Sequence, residues 1–315
     1  MMRRIVLLWM LLFNTLEAQS TLDGLALEQY LAAANAVIVF TSQDGLSSGV
    51  YNFTKTGTQM RMYNLPLQYH FDPLTENSNI FLTFDMGYSD SRNDRDVDVN
   101  GTFLNINNQL QSYIGGVGLG IRYKLGTHSA ILFGGEIIYS RLGVSTRTGD
   151  GLSEDDISGF FDKNARDNFS YKLFAEYVYR RTIHKHKIFL KSNYKLYHTL
   201  NEFKVPEVVE GVVTDVLSLT SQTSVFSVIC GYESNPLYQY EEMSFTLEPY
   251  FKGNYVWGDL ADVAQISAYG TAGLGFYWNT PENSAYIYRY FIEPSISKGD
   301  GLEGLNLSIG FSLDF

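Results

Sequence analysis

Three features of this chain have residue types and spacings that could do chemistry: an acidic string, a glycine run and a set of histidines. Asp94, Asp96, Asp98 and Asn100 form a D-x-D-x-D-x-N string. A calcium hand needs Gly at its sixth position and Glu at its twelfth. Counted from Asp94, those positions hold Val99 and Asn105, so the string reads as a solvated acidic loop, with loose divalent-cation binding as the alternative. Gly116-Val117-Gly118-Leu119-Gly120 suggests a phosphate loop but lacks the third-glycine spacing and the helix that should follow. The five histidines are His70, His128, His184, His186 and His198. His184-Lys185-His186 reads as a surface turn. Cys230 is the only cysteine, so an intrachain disulfide and a cysteine-rich zinc site are both impossible, and it reads as a small apolar side chain.

The elements that would position these residues follow from composition and period. Apolar residues make up 45% of the chain, yet mean hydropathy is −0.11. Beyond the N-terminus no run approaches the ~18 consecutive apolar residues of a membrane helix. With 23 Tyr and 21 Phe the chain is too aromatic for disorder. Such a load suits a membrane barrel, where amphipathic rings settle at both lipid–water boundaries. The net charge of −11 and the absence of a basic run argue against nucleic-acid binding.

Met1-Met2-Arg3-Arg4, then uncharged Ile5 to Phe13, then Leu16-Glu17-Ala18 are the parts of an export signal, with cleavage expected after Ala18. Residues 22–34 favour a short helix, which either enters a lumen or rests in the periplasm; the sequence does not choose.

The last stretch is the most informative. Leu305, Leu307, Ile309, Phe311, Leu313 and Phe315 alternate with Asn306, Ser308, Gly310, Ser312 and Asp314, a period of two held to the final residue. Similar alternation starts at Ile80, Tyr171, Ile188, Phe245 and Tyr286. One long sheet, apolar outside and charged inside, accounts for all of it. Alternation alone does not exclude a soluble barrel with the faces reversed; the export signal, the aromatic load and the terminal Phe favour the membrane.

Counting back from Phe315 in the periplasm predicts strands at 302–315, 284–297, 263–279, 241–256, 215–232, 186–200, 167–181, 128–143, 109–124, 79–89 and 59–71, with one more within 36–55. That is an all-β fold: an antiparallel transmembrane β-barrel of about 12 strands with a short N-terminal helix. Outward loops then fall at 90–108, 144–166, 201–214, 257–262 and 298–301. The periplasmic turns fall at 72–78, 125–127, 182–185, 233–240 and 280–283. Long outside and short inside is the expected asymmetry.

On this frame Gly116, Gly118 and Gly120 face inward and clear space in the lumen. Arg122, Lys124, Lys172, Arg180, Lys191, Lys195, Lys252 and Arg289 face inward with Asp85, Glu136, Glu176, Glu248 and Glu293. They would either staple the wall as cross-strand ion pairs or give a weakly anion-favouring pore. Acidic loops, with Asp150, Glu154, Asp155, Asp156 and Asp162, would lie outside. Rim proteases of the omptin type need acidic and Asp–His pairs. Asp155-Asp156 has only His198 within reach of the neighbouring outward loops. An outer-membrane phospholipase needs Ser, His and Asn on the lipid-facing wall, and only His198 among the histidines fits there.

Twelve strands, a helical lead at 22–34 and the alternating run to Phe315 resemble the translocator domain of autotransporters. With only residues 19–35 between the expected cut and the barrel, the closer resemblance is to solitary autotransporter-like barrels without a passenger. The resemblance implies the fold, residence in the outer membrane of a Gram-negative bacterium, and a C-terminal insertion signal at Leu313 and Phe315 read by the barrel-insertion machinery. Lipid and lipopolysaccharide are the other expected partners. A monomer without cofactors, structural or pore-forming, is the expected function. The alternatives are an outer-membrane enzyme or an adhesin acting through loops 90–108 and 144–166.

Overall fold

The structure is a computed structural model that describes residue 39 and residues 46–99, 102–148, 166–183, 186–204, 216–280 and 287–313. Over much of the sheet β-branched and aromatic residues alternate with small or polar ones, and the branched and aromatic side chains suit a pleated, half-buried surface. The strands are β1 (Leu46–Phe53), β2 (Thr58–Thr75), β3 (Ser78–Val99), β4 (Thr102–Lys124), β5 (Ser129–Thr148), β6 (Arg166–Ile183) and β7 (His186–Lys204). They continue with β8 (Val216–Glu233), β9 (Tyr238–Tyr240), β10 (Met243–Gly258), β11 (Ala268–Asn279), β12 (Ile287–Gly299) and β13 (Leu302–Leu313). A short helix, α1 (Asp259–Ala264), leads into β11.

Every described pairing is antiparallel, and the sheet closes through β1 against β13 and β10 against β11. The cylinder has twelve strands; β9 is a three-residue addition on the start of β10. Closure pairs all twelve cylinder strands on both sides, the condition for crossing lipid with strands. No described helix is long and apolar enough to cross a membrane.

The outer face is apolar. On β3 the exposed side chains run through Phe84 and Met86 to half-buried Tyr88, and then give way to Asp90 and Arg92. Ile80 to Tyr88 matches the ~9–11 residues a tilted strand needs to cross the hydrocarbon core. Aromatic clusters mark both ends of this belt. Toward the end with the long hairpins (the hairpin end) stand Tyr63, Tyr88 and Tyr113, then Tyr139 with Phe169, then Tyr171 with His198. Toward the opposite, turn end stand Tyr69 with Phe71 and Phe245 with Trp278. Cys230 is exposed on this outer face beside Val228 and Tyr232.

Some boundaries differ from the sequence expectation. Predicted loop 90–108 is mostly strand: β3 and β4 stay paired from Asp94↔Asn107 to Val99↔Thr102. Asp94, Asp96 and Asp98 of the acidic string therefore lie on extended, paired backbone, and Asn100 lies outside the described residues. The first strand, Leu46–Phe53, falls within the expected 36–55, whereas β11 begins at Ala268, not at 263. There Gly258 (φ 88°) reverses the chain, and α1 occupies the space. The expected turn 233–240 contains β9. The expected export signal, helix 22–34 and Phe315 lie outside the described residues. Leu313 closes β13 in register with Ile287.

The inward glycines make room for specific neighbours. Gly120 lies opposite Phe81 in the register, and a Cβ there would run into the Phe81 ring and to 2.8 Å from the Phe133 carbonyl oxygen. The same pairing recurs at Gly134 with Phe174, Gly231 with Phe189, and Gly310 with Phe291. Gly120→Val should cost about 1–3 kcal/mol by overpacking. Urea titration of the refolded barrel should show that Gly120→Val with Phe81→Ala loses less than the sum of the two single changes. Strict additivity would mean that the ring and the glycine are not coupled.

Candidate functional site

Within the lumen the strands converge, and the register builds two charged clusters there. Odd residues of β3 and even residues of β4, β5 and β6 face inward, which aligns Asp85 with Gly116, Gly118 with Glu136, and Glu136 with Lys172. Lys172 Nζ lies 2.5 Å from Glu136 Oε2 and 3.0 Å from Asp85 Oδ2. The Lys172 and Glu136 side chains are 7% and 0% exposed. Gly116 is needed here because a Cβ would collide with the Glu136 carboxylate. Two carboxylates and one ammonium are thus stacked across four strands, with the wall shaped to hold them.

The second cluster gathers near the turn end. Arg289 Nη2 lies 3.4 Å from both Glu233 Oε2 and Glu248 Oε2, and its guanidinium stands 3.6 Å from the Tyr277 ring centroid. Tyr277 donates its hydroxyl proton to Glu293, and Lys187 Nζ reaches Glu233 Oε1 at 2.8 Å. Between them is a cavity of about 120 Å³ lined by Arg180, Lys187, Glu233, Glu248, Asn279 and Arg289. Of the other inward charges, Arg122, Glu176, Lys191, Lys195 and Lys252 are half-buried, while Lys124 is exposed at the turn end of β4. Glu233 and Lys187 belong to the cluster but were not anticipated. Glu233 continues the inward register of Ser227 and Gly231 one residue past the expected strand limit.

Between the clusters and the hairpin end, the lumen is apolar. Tyr51, Met60, Tyr197, Val256 and Leu302 point inward and are at most 2% exposed. Phe53, Met62, Ile114, Ile138, Val225 and Tyr269 join them in one continuous core. Leu260, Ala264 and Ile266, in and just after α1, are buried in the same core. The loop is tied down by Leu260 N donating to Thr223 Oγ1 at 3.3 Å and by Gln222 N donating to Asp259 Oδ2 at 2.8 Å. Val39, the one described residue ahead of β1, is helical and buried in this core. Small polar side chains complete the wall: Ser89, Ser112, Thr199 and Thr223 are at most 1% exposed.

The four described histidines are dispersed, and His184 and Lys185 of the expected His184-Lys185-His186 turn lie outside the described residues. His198 stacks on Tyr171 on the outer wall at 4.8 Å, with Gln222 beside it in the register. His70 Nδ1 lies 3.2 Å from the Asn79 amide. His128 packs near Tyr179, and His186 near Tyr232, both at the turn end. A shallow concavity of about 540 Å³ lies across β11, β12, β13 and β1, floored by Ser48, Ala272 and Pro294.

A closed twelve-stranded antiparallel barrel with an apolar outer belt and a filled lumen is the fold of an outer-membrane β-barrel. The chain is similar in fold to autotransporter translocator domains. The β-domain of BrkA from Bordetella superposes with TM-score 0.56 at 9% identity, over 86% of this chain and 97% of that one. The translocator domain of NalP from Neisseria meningitidis gives 0.54 at 13% identity, over 96% and 99%. The transport unit of AIDA-I from Escherichia coli gives 0.55 at 12% identity, over 91% and 99%. At these identities the likeness is one of fold. No protein-family model and no curated protein matches the chain in sequence.

Proposed function

We propose that this protein resides in the outer membrane of a Gram-negative bacterium as a closed, translocator-type barrel, a structural anchor and not an open diffusion pore. The observation that carries this reading is the apolar core inside the lumen, with Val39 and the α1 loop packed into it. A water-filled channel needs a polar, accessible wall. Here inward Met60, Val256 and Leu302 are at most 2% exposed. With the turn end in the periplasm, the long β3–β4 and β4–β5 pairings project outside, as long outward hairpins do in such barrels. On this reading Lys172, Glu136, Asp85, Arg289, Glu233 and Glu248 stiffen the wall and do not select ions.

The test is conductance of the refolded protein in a planar bilayer, after insertion has been confirmed. The expected result is a silent membrane at low voltage. Steady ohmic steps would overturn the closed-barrel reading and restore the pore, with charge reversal at Lys191 or Arg289 then expected to change its selectivity.

A further inference from the structure

The outer wall of β2, β3 and β5 carries exposed guanidinium groups just beyond the aromatic belt at the hairpin end. Arg61 lies two residues beyond Tyr63, Arg92 four beyond Tyr88, and Arg141 two beyond Tyr139. The register sets Arg61 opposite Asp90, Arg92 opposite Gln109, and Asp90 opposite Gln111. Tyr63, Tyr88 and Tyr113 form a continuous row directly beneath, with ring centroids 6.2 and 5.0 Å apart.

Acidic neighbours only partly offset this charge. Asp90 is 13% exposed and is held by Arg92 at 3.3 Å and by the Gln109 amide at 2.7 Å. Asp167 accepts from the Tyr139 hydroxyl at 2.7 Å and lies 4.0 Å from Arg141. The Arg92 and Arg141 side chains remain 55% and 58% exposed. Arg61 is exposed and has no ion pair among the described residues. Nearby, on β12–β13 and in the β1–β2 turn, the lysines have acidic partners instead: Lys298 is paired with Glu303 at 3.2 Å and Lys55 with Asp300 at 2.6 Å.

We propose that this sector docks a phosphorylated glycolipid of the outer leaflet. Arg61, Arg92 and Arg141 would receive the phosphates, and the tyrosine row would meet the junction of sugar and acyl chain. The chemistry favours this occupant. A guanidinium fork matches phosphate bidentately, aromatic rings settle at the headgroup boundary, and the face is otherwise apolar and already directed into lipid. A protein partner would instead need an apolar core to its interface, and guanidinium groups at the lipid boundary do not supply one. The inference rests on the membrane reading above.

The test uses the whole chain refolded into nanodiscs of phosphatidylcholine doped with bisphosphorylated lipid A, or with an equal charge of phosphatidylglycerol. Lipid that remains bound after detergent extraction is read by native mass spectrometry. The wild type should retain lipid A about tenfold over phosphatidylglycerol, equivalent to ~1.4 kcal/mol. Arg61→Gln with Arg92→Gln and Arg141→Gln should abolish that preference, and Lys298→Gln should leave it unchanged. Folding of each variant is read independently from heat-modifiable gel mobility. Equal retention by the wild type and the triple variant overturns the site. Equal retention of both lipids reduces it to general anion attraction and also overturns it. A wild-type chain that never inserts overturns the membrane reading itself, a failure visible before any lipid is weighed.

Discussion

Lys172→Met should destabilise the folded barrel by about 3–5 kcal/mol, because it leaves two buried carboxylates without their cation. Glu136 is fully buried, Asp85 is 15% exposed, and both depend on the one Nζ atom at 2.5 and 3.0 Å. Removing a partner differs from removing the group: replacing a whole buried ionic set with neutral residues is often close to neutral. Lys172→Met with Glu136→Gln and Asp85→Asn should therefore recover most of the loss. Urea unfolding followed by tryptophan fluorescence would measure both. If the single variant lost less than about 1 kcal/mol, the value of an exposed surface pair, the triad would have to be solvated and the lumen at that level open.

The second large effect is expected at α1. Leu260 and Ile266 are each 1% exposed in the apolar core. Leu260→Asp with Ile266→Asp would place two unpaired carboxylates there, each costing several kcal/mol. The loop has less to lose by leaving. Its described hydrogen bonds number only a few, including Leu260 N to Thr223 and Gln222 N to Asp259, whereas each barrel strand is paired on both sides. The double variant should keep its barrel but be cut within 258–267 by added protease at least ~100-fold faster, since each ~1.4 kcal/mol is tenfold in the open population. Unchanged resistance would show that Leu260 and Ile266 do not hold the loop in place.

Much of the fold was legible in the sequence because lipid imposes a strict rule on one face of every strand. Leu305, Leu307 and Ile309 must all be apolar, and the eye finds them at once. Where that rule stops, the reading stopped too. Beyond Tyr88 the outward positions of β3 carry Asp90 and Arg92 in place of apolar residues, so the sequence on to Val99 loses its apolar–polar contrast and reads as loop although the backbone continues as strand. The α1 segment failed for a related reason. Leu260 and Ile266 are apolar because they face the core, and with Gly258 at positive φ hidden from any period count, the stretch from 263 onward passed for strand.

The site divided in the same way. Lys172 with Glu136, and Arg289 with Glu248, stand on the inward faces assigned from period two, yet which charges meet depends on strand register, which no single strand reveals. Gly116 was read as clearing space; the structure shows that the space belongs to the Glu136 carboxylate. The apolar lumen was missed because a period-two test detects contrast between faces. Met60-Arg61-Met62-Tyr63 is apolar on its inward face, and its outward face opens with Arg61 near the boundary, so it offers no contrast of the expected sign.

The closed lumen is the central claim, and thiol accessibility tests it most directly. In a Cys230→Ser background, Met60→Cys, Val256→Cys and Leu302→Cys each place one thiol on an inward position that is at most 2% exposed. Thr54→Cys, in the β1–β2 turn, provides the exposed reference. With the barrels refolded in liposomes, a membrane-impermeant maleimide should label Thr54→Cys promptly and leave the three lumen positions at least ~100-fold slower, reacting only as the core opens. Labelling of Met60→Cys and Val256→Cys at the Thr54→Cys rate would mean that water fills the barrel to its hairpin end, and the closed anchor would have to be abandoned for a pore.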